Sequence, residues 1–178
     1  MKNIEYYYPN YAVTARQRLE ACKYLVAKCD SWSNQQEEFR VCHEIYYLCG
    51  YILEALCIFT IYKSRNWIKS KPIHSYDKDF SEETDLSYGG ENTTYNIQGH
   101  RFQLYVEILR NDPNFEDIPY FGTRSIGDGT IEDLIANWSP KIRYNYQDKD
   151  GINMKNIKKI IDVCEKIYAA VNMNIGLN

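Results

Sequence analysis

Several features that would announce a function are missing from this chain. No glycine-rich run resembles a phosphate cradle, no CxxC pair occurs, and no Cys/His spacing matches a zinc site. The sequence therefore implies neither a metal nor an organic cofactor. An excess of basic residues is also lacking. Lys and Arg number 21 against 24 Asp and Glu, and the net charge of -3 argues against a generally basic nucleic-acid binder. Nothing points to DNA specificity. Residues 1–9 are polar and rich in Tyr, with no apolar stretch, so no secretory leader is expected. There is no internal repeat and no low-complexity tract.

What is present is an ordinary globular balance. Hydrophobic residues make up 44% and charged residues 25% of 178 positions, enough for one domain with a real core. Tyr is abundant, which suits a core with wet edges because each ring brings a hydroxyl that wants a partner. The six Cys (Cys22, Cys29, Cys42, Cys49, Cys57 and Cys164) fall inside apolar helical patterns. They read as reduced, buried small hydrophobes of a cytoplasmic protein. Two local basic clusters, Lys63, Arg65, Lys69 and Lys71, and Lys155, Lys158 and Lys159, read as solvated faces.

Hydrophobic periodicity predicts helices. Ala12, Ala15, Leu19, Cys22, Val26 and Cys29 alternate steps of three and four, predicting a helix over 11–29. Val41, Ile45, Leu48, Ile52, Ala55 and Phe59 do the same within 34–64, and Cys42, Cys49, Leu53 and Leu56 add a second stripe. A helix apolar on nearly all sides is the central, buried one. Its length would suit a membrane span, but His43, Glu44 and Glu54 interrupt it, so no membrane helix is expected. Residues 66–98 turn polar and predict an irregular surface excursion with a short hairpin around Gly89 and Gly90. Its Tyr residues offer one contact surface for a protein partner. A third helix is expected over 100–110, with Phe102, Val106 and Leu109 on one face. A short one capped by Thr130 should end near Trp138, and a last one should run over 153–171. The fold expected is all-α: an up-and-down four- to five-helix bundle, a single domain over 1–178 with one long polar loop.

One face of the central helix stands apart. Arg40, His43, Tyr47, Gly50 and Glu54 stack on one side. Gly50 costs about 1 kcal/mol in a helix interior relative to Ala, so close approach of another element is expected there. Glu54 lies deep in an apolar helix, where a carboxylate needs a cation or strong donors. Arg143, after the break at Pro140, is the partner expected from sequence, because its planar fork suits a carboxylate. The pair reads either as an architectural ion pair or as part of a polar pocket of Arg40, His43, Tyr47, Glu54, Arg143 and Tyr144. His100 reads as a helix-start residue, and His74 as a loop residue.

These residues resemble a family. The stretch from His43 to Leu56, HEIYYLCGYILEAL, is similar to the YLxGYxLExxLK second-helix signature of HEPN domains. Gly99-His100 is similar to the helix-opening segment that follows it there. Trp138 to Tyr144, WSPKIRY, is similar to the W…RY segment before the final helix. The order and spacing of the three agree. The resemblance implies a helical bundle that commonly dimerises, in RNA-linked defence, toxin–antitoxin or stress systems, sometimes paired with a nucleotidyltransferase. Gly50, Tyr51, Glu54, Arg143 and Tyr144 match by position, in mainly architectural roles. Active members are metal-independent ribonucleases that use an Arg followed four to six residues later by His. Here no His follows Arg143, His43 comes only three residues after Arg40, and Ile58 stands where the signature has Lys. The expectation is a non-catalytic HEPN-like binding module: a homodimer engaging a nucleotidyltransferase-like partner, or RNA or a nucleotide. The alternative is a ribonuclease or nucleotide-processing enzyme with an altered site, its catalytic candidates being His43, Glu54 and Arg143.

Overall fold

The structure is a computed structural model, and it describes residues 5–29, 34–84, 86, 88–90, 93–95, 100–122, 124–144 and 151–177. Among these residues six α-helices carry the core. They are α1 (Tyr8–Cys29), α2 (Gln35–Ser64), α3 (Lys78–Thr84), α4 (Phe102–Arg110), α5 (Gly129–Ala136) and α6 (Met154–Ile175). A two-stranded antiparallel hairpin, β1 (Tyr88–Gly90) and β2 (Thr93–Tyr95), pairs Gly89 with Thr94, at the glycines where a hairpin is predicted. Short 3-10 turns cover Pro113–Phe115 and Pro140–Tyr144.

The long helices form where the periodicity places them. In α1 the stripe Ala12, Ala15, Leu19, Cys22 and Cys29 is buried. Helix α2 opens with the Asn34 side chain accepting a hydrogen bond from the Gln36 N–H, with Glu37 and Glu38 in the first turn facing the positive helix end. Every residue from Ile52 to Tyr62 is buried. Among the described residues α2 is the one helix long and apolar enough to cross a membrane, and 83% of its most apolar stretch is buried inside the protein. Asn153 caps α6 through the Asn156 N–H. The cap of α5 is Asp128, which accepts from Ile131, and not the predicted Thr130.

Side-chain contacts give the helix directions. Tyr8 meets Phe59, Arg18 meets Tyr51 and Cys22 meets Cys49, so α1 runs antiparallel to α2. Cys164 approaches the Cys49 carbonyl and Lys63 donates to the Gly176 carbonyl, so α6 runs in the same sense as α2. His100 meets Glu54 at the start of α4 and Asp112 meets Arg65 just past its end, so α4 also runs with α2. A simple up-and-down order is thus replaced. The chain after α2 returns to the middle of that helix through the excursion before α4 begins.

That excursion is not only surface. Trp67, Ile73, Phe80 and Leu86 are buried. Trp67 and Phe80 pack on Tyr62 at ring separations of 5.5 and 4.7 Å. The expectation of an irregular polar loop missed α3, because this short helix shows one apolar residue on an otherwise polar stretch. None of the six Cys forms a disulfide, and all are buried. Cys22, Cys49 and Cys164 meet where α1, α2 and α6 converge; contact with Cys49 and burial push the Cys22 thiol well up, and contact with Cys164 and burial push the Cys49 thiol well up. They stay neutral and act as packing groups.

Candidate functional site

The middle of α2 builds the site. Glu54 is 4% exposed, and its Oε2 lies 3.0 Å from Nδ1 of His100. The carboxylate is therefore held by an imidazole and not by the predicted Arg143. Two structural facts account for this correction. Arg143 lies level with Tyr47, seven residues from Glu54, which is about 10 Å along a helix. And at Gly50, between Tyr47 and Glu54 along α2, the space is filled by the indole of Trp138. His100 reaches Glu54 from the segment before α4 with a backbone φ of 49°, in the left-handed region that His tolerates better than most side chains.

The His100 side chain remains 58% exposed. With Nδ1 turned to the buried carboxylate, the opposite edge carrying Nε2 faces outward. The hydrogen bond to Glu54 raises the imidazole pKa above its usual value. Partial burial, and the charge of Arg18, act the other way. The guanidinium of Arg18 lies over the Tyr51 ring at 4.8 Å from its centroid, and His100 meets the same ring at right angles at 5.4 Å. Behind Glu54 stand two more hydroxyl groups, those of Tyr11 and Tyr105. Burial first, and then the Glu54 charge, pushes both phenol pKa values up. Among the described residues Oε1 of Glu54 has no hydrogen-bond partner.

Tyr51 is the hub. Besides His100 and Arg18 it meets Trp138 at 5.1 Å and Tyr47 at 4.9 Å, both near perpendicular. Tyr47 continues the row, with Arg143 at 5.8 Å from its ring centroid. Arg143 also lies 5.9 Å from the ring of Tyr144, which is 83% exposed. Tyr47 and Tyr144, with Glu44, favour the cationic form of this guanidinium. The close approach expected at Gly50 is made by Trp138: a Cβ there would fall 1.9 Å from its indole ring.

The six-residue pocket expected from the α2 stripe is divided by the structure. Tyr47, Arg143 and Tyr144 share one patch, and Glu54 belongs with His100. Arg40 is exposed at the first part of α2, on the rim of a cavity of about 650 Å³ lined also by Gln36, Phe39, Val41 and Glu44. His43 is buried and meets Phe39 at 4.5 Å. Sequence reasoning missed the parts played by Arg18, His100 and Trp138. The signal for Arg18 was available: a long cation directly beside the Ala15–Leu19 seam must emerge at the α1–α2 groove.

Among the described residues no cluster of three or more His, Cys, Asp or Glu is arranged to hold a metal. No family model, curated protein or solved structure matches the chain, so its own residues carry the functional reading. Chemically, the site offers two guanidinium groups and an imidazole arrayed along a pair of tyrosine rings. Such a surface stacks on planar groups and donates hydrogen bonds to anions.

Proposed function

We propose that this protein is a non-catalytic HEPN-like binding module of an RNA-linked defence, toxin–antitoxin or stress system, and that it engages RNA or a nucleotide. The observation that carries this reading is the row Arg143, Tyr47, Tyr51 and Arg18, in which a guanidinium stands at each end of two edge-packed tyrosines. Aromatic rings stack on bases without regard to sequence, and Arg adds charge for the phosphates. The net charge of -3 fits a short, local contact better than a long basic track. A second copy of the chain and a nucleotidyltransferase-like protein are the partners the family resemblance adds.

The test is binding of a labelled single-stranded RNA to the full chain over a range of salt. Arg143→Ala should weaken binding roughly five- to tenfold and lower the salt slope by about one. Arg40→Ala, on a separate rim, should change neither. Equal binding by the Arg143 variant and wild type would overturn the reading.

The enzyme reading has one observation in its favour: a half-exposed imidazole oriented by a buried carboxylate, as general acid–base catalysts are. RNA cleavage that survives repurification and disappears in His100→Ala would replace the binding module with a nuclease.

A further inference from the structure

We infer that Arg18 and the outward edge of His100 form a phosphate-binding site, which takes the phosphate group of a nucleotide or of an RNA strand. For its biological ligand this rests on the binding reading above; for its chemistry it rests on the geometry alone. Two cationic groups from different elements, Arg18 of α1 and His100 before α4, are drawn onto one ring, Tyr51 of α2. They are close enough for the guanidinium charge to oppose protonation of the imidazole. The carboxylate that holds His100 is 4% exposed and lies on the inner side, so it orients the ring without covering its outer edge. Among the described residues Arg18 makes no ion pair. A guanidinium and an imidazole that meet the same ring, with the Glu54 carboxylate buried beneath the imidazole, leave an outward positive field when the imidazole is protonated, and an anion relieves it.

The choice of a phosphate follows from the donors. A guanidinium presents a planar fork, and a protonated imidazole held at Nδ1 presents a single outward N–H at Nε2. Together they suit a tetrahedral oxyanion with several acceptor oxygens. The flat rings of Tyr47 and Tyr51 continue from this point along α2, where an adjoining base would stack. The groups facing His100 are Glu54 and Tyr51 from α2 and Arg18 from α1, with Tyr11 and Tyr105 behind Glu54. Burial, and then the Glu54 charge, hold both tyrosine hydroxyls in the neutral form.

The experiment follows the imidazole signals of the full chain by NMR, assigned with His100→Gln, as inorganic phosphate is added. Saturable movement of the His100 signal is expected, and 5′-AMP should bind more tightly than adenosine. Arg18→Gln and His100→Gln should each weaken 5′-AMP binding roughly tenfold, the loss of one charge-assisted hydrogen bond. The wild-type affinity should fall as pH rises and the imidazole loses its proton. An RNA strand with and without a 5′-phosphate separates the sources. Dependence on that group identifies a terminal phosphate, and equal binding identifies the backbone.

An unmoved His100 signal at saturating phosphate would overturn the inference, and this readout does not depend on any variant folding. So would folded Arg18→Gln and His100→Gln variants that bind 5′-AMP as wild type does. RNA binding with an unmoved His100 would sink this site and leave the binding module standing. Phosphate binding at His100 without RNA binding would do the reverse.

Discussion

The indole of Trp138 occupies the space that a β-carbon on Gly50 would need, with Cε2 only 1.9 Å from that position. Two effects oppose each other at this glycine. Replacing Gly with Ala in a helix interior gains about 1 kcal/mol in propensity. Overpacking a filled core costs about 1–3 kcal/mol, and more when the neighbour is a rigid ring. At 1.9 Å the ring must leave its seat, so the steric effect wins. Gly50→Ala should lower stability by about 2–4 kcal/mol in urea unfolding.

The same contact predicts a reversal of sign. Trp138→Ala alone should cost about 3–5 kcal/mol, since it empties a buried site. In that background Gly50→Ala should be neutral or stabilising, because the clash is gone and the propensity gain remains. Additive losses in the double variant would show that Trp138 is not what keeps Gly50 a glycine.

The contact between His100 and Glu54 makes a pH prediction. In the unfolded chain the imidazole titrates near the usual value of about 6.5. In the folded protein its pKa is raised, chiefly by the hydrogen bond to Glu54. A raised folded pKa means that the protonated form is favoured by folding. The stabilisation is therefore fully present below about 6.5 and is lost as pH rises through the folded pKa. Because the imidazole is more than half exposed, the effect should stay under about 1 kcal/mol. Unfolding midpoints between mildly acidic and mildly alkaline pH should fall in wild type. The slope should be smaller in His100→Gln and in Glu54→Gln. An unchanged slope in both variants would show that the pair is not coupled to folding.

How much of this was legible from the residues varied with the distance over which each feature is decided. The stripes of α1, α2 and α6 are local facts of spacing, and the helices formed on them. The need for a close neighbour at Gly50 and a partner at Glu54 was also legible, because each residue is costly where it stands. Which group would answer was not. That choice depends on the turn that follows Trp138 and on a left-handed backbone at His100, and both are set by tertiary packing. The α3 region failed for a related reason. Phe80 is buried because Trp67 and Tyr62 come to meet it, and neither lies within its own helical period.

The excursion gives a prediction that separates a loop from a piece of core. Trp67 is 6% exposed, and its indole N–H donates to the Lys71 carbonyl at 3.0 Å. Trp67→Ala should destabilise the whole protein by about 3–5 kcal/mol in a single cooperative transition. An unchanged midpoint would return the segment to the status of a surface loop. Removing the segment to test it as a contact surface should, on the same grounds, unfold the bundle around Tyr62.

At the far end of α2, Arg65 reaches Asp112 at 3.1 Å, with the two side chains 15% and 11% exposed. Asp112 does two things at once. One oxygen takes the ion pair, and the other accepts from the Asn114 N–H that opens the Pro113–Phe115 turn. The roles separate by substitution. Asp112→Asn keeps an oxygen for the cap but loses the charge, while Asp112→Ala loses both. Removing one partner of a buried pair costs about 3–5 kcal/mol, and slight exposure, together with Glu83 as a second carboxylate 3.5 Å from Arg65, puts this pair at the lower end. The cap adds about 1 kcal/mol. Urea unfolding should therefore give a loss near 3 kcal/mol for Asp112→Asn and about 1 kcal/mol more for Asp112→Ala. In a chain that already carries Arg65→Met, the Asp112→Asn step should become nearly neutral, because no buried guanidinium remains to be stranded. A loss as large as in the parent chain would show that Asp112 works through its cap and its surroundings, not through Arg65.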